Sequence, residues 1–253
     1  MFYPNKCAGC GRCLKICPNG CHTKNNGHTF SRELCAVCGN CASGCGFGAL
    51  AQAGRYYSVP EVLEIISADI AFYERSKGGL TCSGGEPLLQ HEFAIELLAE
   101  ARRLGINTAV DTAGDVDYGI FERVTAKTDL FLFDLKCMDE KKHIKATGAG
   151  NRRILENLKR LGMGEVPVWV RIPVIPGFND DLENIKKTAE FLKGLTGVKK
   201  VELLAYHNLG ENKYKSLGME IKTKDLKAPA ANTIKKLSGI FDNINNINNV
   251  NNI

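Results

Sequence analysis

No run of apolar residues in this chain approaches the ~20 that cross a bilayer as a helix, and no basic-then-apolar leader opens it. No helical membrane span is expected, and the expected location is the cytoplasm. Charge of one sign is equally scarce: 33 Lys+Arg against 28 Asp+Glu leave a net +5. An excess that small, dispersed through runs such as "DEKKHIK" and "GVKKVE", makes solvated faces and turns, not a nucleic-acid stripe. Cysteine, by contrast, is abundant. The 253 residues include 11 cysteines, and a cytosol that keeps thiols reduced does not use them as disulfides. Eight form two runs between residues 7 and 45, whereas Cys21, Cys82 and Cys137 belong to neither. Such clustering points to a metal module.

Cys7, Cys10, Cys13 and Cys17 follow C-x2-C-x2-C-x3-C with Pro18 next, and Cys35, Cys38, Cys41 and Cys45 repeat it 28 residues later. This internal duplication is the bacterial ferredoxin arrangement, in which three closely spaced thiolates hold one cubane and the fourth reaches across to the other. It predicts one [4Fe–4S] cluster on Cys7, Cys10, Cys13 and Cys45, and a second on Cys35, Cys38, Cys41 and Cys17. Gly9, Gly11, Gly39 and Gly44 suit backbone folded closely around sulfur. Structural zinc also favours C-x2-C pairs, but it leaves the third and fourth cysteines of each run without a role. Gly46 stands where a second proline is usual, and Cys21 reads as a packed small residue.

After "AQAGRYYS" the pattern changes. Residues 58–75 read as one helix, with Ser58 and Glu61 as a capping box and Val62, Ile65, Ile66 and Ile70 on one face. Strand and helix signals then alternate: "GGLTCSGG", "NTAVDTAG", "DLFLFDLK", "VPVWVRIPVI" and "VKKVELLAY" each precede a helical pattern, the last helix falling around 224–240. Five apolar strands each followed by a helix predict an α/β fold with a parallel sheet, whose functional residues gather at the strands' carboxyl ends. Those ends carry Gly84, Gly85 and Glu86, then Asp111 and Thr112, Asp134 and Lys136, Arg171, and His207. Trp169 and the Phe131–Phe133 run read as core. The closing "NINNINNVNNI" has the composition of a poorly packed tail, although its period also permits a continued helix.

The signatures "SGGEPLLQ", "VDTAG", "FDLK", "RIPVIPGFNDD" and "LAYHNLGENKYKSLG", in this order and behind a ferredoxin-like block, resemble the glycyl radical enzyme activating enzymes of the radical S-adenosylmethionine (radical SAM) superfamily. The resemblance runs from about Lys6 to Gly218. It implies a partial (βα) barrel of the radical SAM type behind a small two-[4Fe–4S] domain, with boundaries at 1–54, 55–241 and an Asn-rich tail 242–253. It further implies that a third, catalytic [4Fe–4S] cluster binds S-adenosylmethionine and reduces it. The resulting 5′-deoxyadenosyl radical takes hydrogen from a glycine of a partner glycyl radical enzyme. A flavodoxin- or ferredoxin-like protein supplies electrons. Matched residue by residue, Gly84, Gly85 and Glu86 receive the cofactor's methionyl amino group. Asp111, Asp134 and Lys136 lie near its methionyl and sulfonium end, Arg171 contacts cofactor or partner, and His207 approaches the adenosine.

One departure stands out. The family's catalytic cluster is held by C-x3-C-x2-C after the first barrel strand, and that spacing is absent: Cys17 and Cys21 are followed by Lys24, Cys41 and Cys45 by Gly48. The first strand and its loop are expected to be missing, leaving five strands and one unpaired sheet edge. A fragment or misassigned start, a disrupted gene, or a segment supplied by another polypeptide would each account for this. Reductive cleavage by these residues alone is then expected to fail. The competing reading is a non-catalytic iron–sulfur electron-transfer module.

Overall fold

Seven strands form two sheets among the described residues. Strands β1 (His22–Lys24) and β2 (His28–Phe30) pair as an antiparallel hairpin. Strands β3 (Gly79–Cys82), β4 (Asn107–Thr112), β5 (Leu130–Asp134), β6 (Val168–Val174) and β7 (Val198–Ala205) lie side by side in chain order, every neighbouring pair parallel. The computed structural model describes residues 1–221 and 226–249, with backbone alone for 246–249. The chain divides into two compact units. The first is Met1–Tyr56 with His207–Leu226, and the second is Tyr57–Tyr206 with Lys227–Ile253.

The second unit follows from its alternation. On β4, β5 and β6 every other residue turns to one side, so Val110, Phe131, Phe133, Val168, Val170, Ile172 and Val174 are all buried. Helices His91–Arg103, Tyr118–Thr125, Arg152–Gly162 and Leu182–Leu192 cover that side with Leu98, Phe121, Val124, Ile154, Leu158 and Ile185. Each fully buried side chain of this kind contributes about 1.5–3 kcal/mol. Gly114 shows how close the fit is: at φ +76°, a Cβ there would fall 2.1 Å from Phe133.

The opposite side of the sheet is polar. The strand registers put Asp111, Leu132, Trp169 and Lys200 in one row, and Asp134, Arg171 and Glu202 in the next. Parallel sheets ordinarily bury both faces under apolar residues, so two rows of charge mark this one for binding. Trp169 therefore departs from its expected core position. The β6 sequence VWVRIPV alternates buried and half-exposed, which sets Trp169 beside Arg171, with the Lys200 ammonium 4.5 Å from its ring.

Four further differences have local causes. The helix expected over 58–75 is two, Val59–Ser67 and Ile70–Ser76, because Asp69 leaves helical dihedrals (φ −102°, ψ 6°) and starts the second. Its first turn is anchored as expected, Ser58 N–H and Oγ both donating to Glu61. Helices Glu140–Thr147 and Glu211–Leu217 were not foreseen; the first starts at Asp139, whose carboxylate accepts the Lys142 N–H. The last predicted helix is Ala231–Ser238, while positions 222–225 lie outside the described residues. The Asn-rich tail is helical over Asp242–Asn249, with 250–253 outside the described residues. There Asn245 accepts the Val201 N–H at 2.9 Å and donates to the Val201 carbonyl at 3.2 Å, covering part of the outer edge of β7.

Candidate functional site

The first unit turns the sequence duplication into a backbone repeat. Short helices Arg12–Ile16 and Asn40–Ser43 start from Gly11 (φ 72°) and Gly39 (φ 81°). Gly9 (φ 64°) corresponds to Val37 (φ 54°), and Gly20 (φ 60°) to Gly48 (φ 62°). All eight repeated cysteines are free thiols lining two cavities. One is bordered by Cys7, Cys10, Cys13 and Cys45. The other is bordered by Cys17, Cys35, Cys38 and Cys41, with Cys21 also in its wall. The fourth cysteine of each run thus stands in the cavity of the other run.

Backbone amides favour the thiolate at these crossing positions. The Cys17 thiol is held below its ordinary value, first by the Cys21 N–H, which donates to its Sγ at 3.4 Å. At Cys45 burial works upward, but the N–H groups of Leu50 and Ala49 outweigh it and leave the thiol lowered. Burial raises Cys13 and Cys41.

Two histidines not foreseen in the sequence sit among these sulfurs. His28 on β2 places Nδ1 3.4 Å from Cys7 Sγ and Nε2 3.5 Å from Cys13 Sγ. His22 on β1, 5% exposed, places Nδ1 2.9 Å from His28 Nε2. One ligand atom each from Cys13, His22 and His28 lie within 4.8 Å of one another. The signal available was a pair of histidines inside the cysteine block, with "NNG" between them as a turn.

In the second unit the strand ends converge as expected on four of the named residues. Arg171 Nη2 donates to Asp111 at 2.5 Å and to Asp134 at 3.1 Å, and Nε donates to Asp134 at 3.3 Å. Lys136 Nζ lies 3.7 Å from Asp134 Oδ2, and Ser83 Oγ donates to Asp111 at 3.0 Å. Burial works against the Arg171 charge, but the two carboxylates hold its guanidinium above its ordinary range. The side chains of Asp111, Asp134, Arg171 and Lys136 are 19–31% exposed, so the cluster is shielded yet reachable.

The Gly84-Gly85-Glu86 turn follows β3 directly. Gly84 has φ +139° and open space where a Cβ would stand. Glu86 is committed internally: Oε1 accepts from the Leu88 N–H and Thr112 Oγ1, and Oε2 accepts from the Ala113 N–H. It clamps the turn to the end of β4, leaving the backbone of the two glycines as the exposed part. His207 is exposed, two residues beyond β7, and belongs to the segment grouped with the first unit.

Three cysteines remain. Cys21 is buried in the wall of the second cavity, Cys137 is buried after β5, and Cys82 packs from β3 against the core, where burial pushes its thiol up to about 11. They do not converge, and no third cysteine set is available for a further cluster.

A family model described as the radical SAM superfamily matches residues 35–192. The isethionate sulfite-lyase activating enzyme of Desulfovibrio desulfuricans is 42% identical over 226 residues, 86% of this chain and 72% of that one. The choline trimethylamine-lyase activating enzyme of Oleidesulfovibrio alaskensis is 37% identical over 227 residues, 87% and 73% of the two chains. Among solved structures, a domain of a pyruvate-formate lyase-activating enzyme from Bacteroides vulgatus matches with TM-score 0.56 and 33% identity, covering 66% of this chain and 94% of that domain. Among the described residues, no helix is long and apolar enough to cross a membrane.

Proposed function

The chain belongs to the radical SAM superfamily and, within it, to the activating enzymes of glycyl radical enzymes; from that membership we propose that residues 1–54 hold two [4Fe–4S] clusters as an electron relay, while the strand ends of 55–241 bind S-adenosylmethionine. The observation that carries the relay is the lining of the two cavities, in each of which three cysteines of one run are joined by the fourth cysteine of the other. The donor set of each cavity suits a cubane, and the N–H groups aimed at Cys17 and Cys45 favour the thiolates such a cluster requires. With all four corners of each cluster ligated, neither leaves an iron open to substrate. Their role is to conduct electrons from a flavodoxin- or ferredoxin-like donor.

When bound, S-adenosylmethionine supplies the radical-forming sulfonium chemistry on which this family depends. The residues present fit its charges. The Gly84-Gly85 backbone accepts the methionyl ammonium, Asp111 and Asp134 face the positive end, and Lys136 offers a counter-charge to the carboxylate. Arg171 offsets part of the charge of the two carboxylates before the ligand arrives and aligns them. The partner is a glycyl radical enzyme, the class that both relatives named above serve.

The residues do not fit the catalytic cluster. No C-x3-C-x2-C occurs, and Cys21, Cys82 and Cys137 are scattered, so no step is assigned to it. The reconstituted 253-residue chain is therefore expected to bind S-adenosylmethionine without forming 5′-deoxyadenosine under reducing conditions. Asp111→Asn with Asp134→Asn should weaken that binding about tenfold or more. Formation of 5′-deoxyadenosine by this chain would overturn the ligand assignment, and binding unaffected by the double substitution would overturn the site. No binding at all favours a non-catalytic electron-transfer module. Zinc with no iron would favour the Cys13, His22 and His28 trio as the metal site.

A further inference from the structure

The two cysteine cavities differ in charge. Arg12 and Lys24 wall the first beside its cysteines, whereas no Lys, Arg, Asp or Glu among the described residues lines the second. Both cations are exposed, and their own bonds go to carbonyls: Arg12 Nη1 donates to Gly44 at 3.3 Å, and Lys24 Nζ to Gly9 at 2.5 Å. Lys15 follows Arg12 by three residues on the same helix and so shares its face, and Lys6 directly precedes Cys7. The chain's small positive excess is therefore unevenly placed. Residues 1–54 hold Lys6, Arg12, Lys15, Lys24 and Arg32 against Glu33 alone, and the segment 207–221 adds Glu211 and Glu220 against Lys213 and Lys215. Arg32 and Glu33 adjoin each other just before Cys35, so the excess lies at the first cavity.

The same rim has an apolar part. Phe47 is 56% exposed and Leu14 36%, both line the first cavity, and Cys10 beside them is exposed. Apolar contact at the centre with charge at the margin is the make-up of a protein interface.

Resting on the two-cluster reading above, we infer that this rim is the docking face of the relay's donor, an acidic one-electron carrier protein that delivers its electron to the cluster on Cys7, Cys10, Cys13 and Cys45. Each closed cubane is itself an anion, because four thiolates outweigh the charge of its core. At the first cluster Lys6, Arg12, Lys15 and Lys24 offset that charge, while at the second Arg32 and Glu33 cancel and leave it bare. The loaded unit is thus a dipole with its positive end at the first cluster, and an acidic partner is steered and turned to that end. Leu34 and Val37 are also exposed, beside the second run, but there an acidic carrier meets an anionic cluster with no net cation around it. In the step itself one electron leaves the carrier's reduced cofactor and enters the oxidised first cubane, and no bond forms or breaks.

The test mixes the oxidised, anaerobically reconstituted 253-residue chain with a fully reduced flavodoxin of net negative charge, and follows the appearance of its flavin semiquinone by stopped flow. Arg12→Glu with Lys15→Glu reverses the rim; Lys24 stays in place because it ties Gly9. Lys145→Glu with Lys159→Glu, at exposed helix positions of the second unit, makes the same change of net charge elsewhere. At low ionic strength the rim variant should react about tenfold more slowly than the parent and the remote variant within about twofold of it, the gap closing as salt rises to about 0.5 M. Reduced methyl viologen, a cation, should reduce the rim variant no more slowly than the parent. Equal slowing in both variants would show a net-charge effect with no docking face, and slowing that persists with viologen would show a damaged or lowered cluster; either overturns the proposal. An unreactive parent, or a rim variant as fast as the parent, overturns it too. Iron and acid-labile sulfide are counted before mixing. Too little for two clusters in the parent overturns the two-cluster reading, whereas two full clusters with unaffected rates overturn the docking face alone.

Discussion

Val37 stands where Gly9 stands one repeat earlier, and its φ of 54° puts a β-branched side chain in the left-handed region. That conformation costs about 1–2 kcal/mol, while glycine's extra freedom in the unfolded chain returns about 0.5–1 kcal/mol. Val37→Gly is expected to stabilise the apo chain by about 0.5–1 kcal/mol, read as a higher denaturant midpoint at unchanged slope; a lower midpoint would show the turn to be unstrained. Arg171→Ala should do the reverse. It leaves Asp111 and Asp134 facing each other without their shared guanidinium, at a cost of about 2–3 kcal/mol once the one-fifth exposure of Arg171 is allowed for. Denaturant unfolding at neutral pH measures it, and an unchanged midpoint would mean that solvent already screens the cluster. Of this site, Asp111, Asp134, Lys136 and Arg171 were legible as polar residues ending apolar strands. Trp169 was not, because β6 is apolar at every position but Arg171, and a tryptophan in such a run reads as core. Glu86 was legible as an acid following the first apolar strand, but its internal bonds to Thr112 and Ala113 depend on a neighbouring strand that local pattern does not name.

Two aspartates set the pH behaviour of the elements. Asp181 starts helix Leu182–Leu192, and its carboxyl is held below the ordinary 3.8 first by the Asn184 N–H and then by Lys142. Asp139 does the same for Glu140–Thr147 through the Lys142 N–H. Because both folded-state values are depressed, the stabilisation is present above the ordinary carboxylate range and is lost as pH falls through the lowered values. Asp181→Asn keeps a capping oxygen and removes the charge, so its stability should fall less steeply than the parent's between about pH 4 and 2. Parallel acid limbs would show the charge to be irrelevant. The five strands of the parallel sheet were legible from their apolar runs, whereas β1 and β2, "HTK" and "HTF", carry no such run and were not. The break at Asp69 was not, since the apolar face continues across it, and the helical tail depends on Asn245 finding the β7 edge, a contact 44 residues away.

At the scale of the whole chain, the division into a cysteine-rich unit and a (βα) unit was visible in composition. The return of His207–Leu226 to the first unit was not. It rests on long-range bonds, Arg32 and the Phe2 N–H both donating to the Ser216 carbonyl, and nothing local in "LAYHNLGENKYKSLG" announces them. The crossing of the fourth cysteines was legible from spacing because the ferredoxin duplication carries its own geometry. The central claim is that these eight cysteines hold two closed clusters and leave none for substrate. Counting iron and acid-labile sulfide on the anaerobically reconstituted chain, beside Cys17→Ala and Cys45→Ala, tests it most directly. The prediction is about eight of each per chain, with Cys45→Ala damaging only the cluster on Cys7, Cys10 and Cys13, and Cys17→Ala only the one on Cys35, Cys38 and Cys41. About four iron atoms, zinc in their place, or each substitution damaging the cluster of its own run would contradict it.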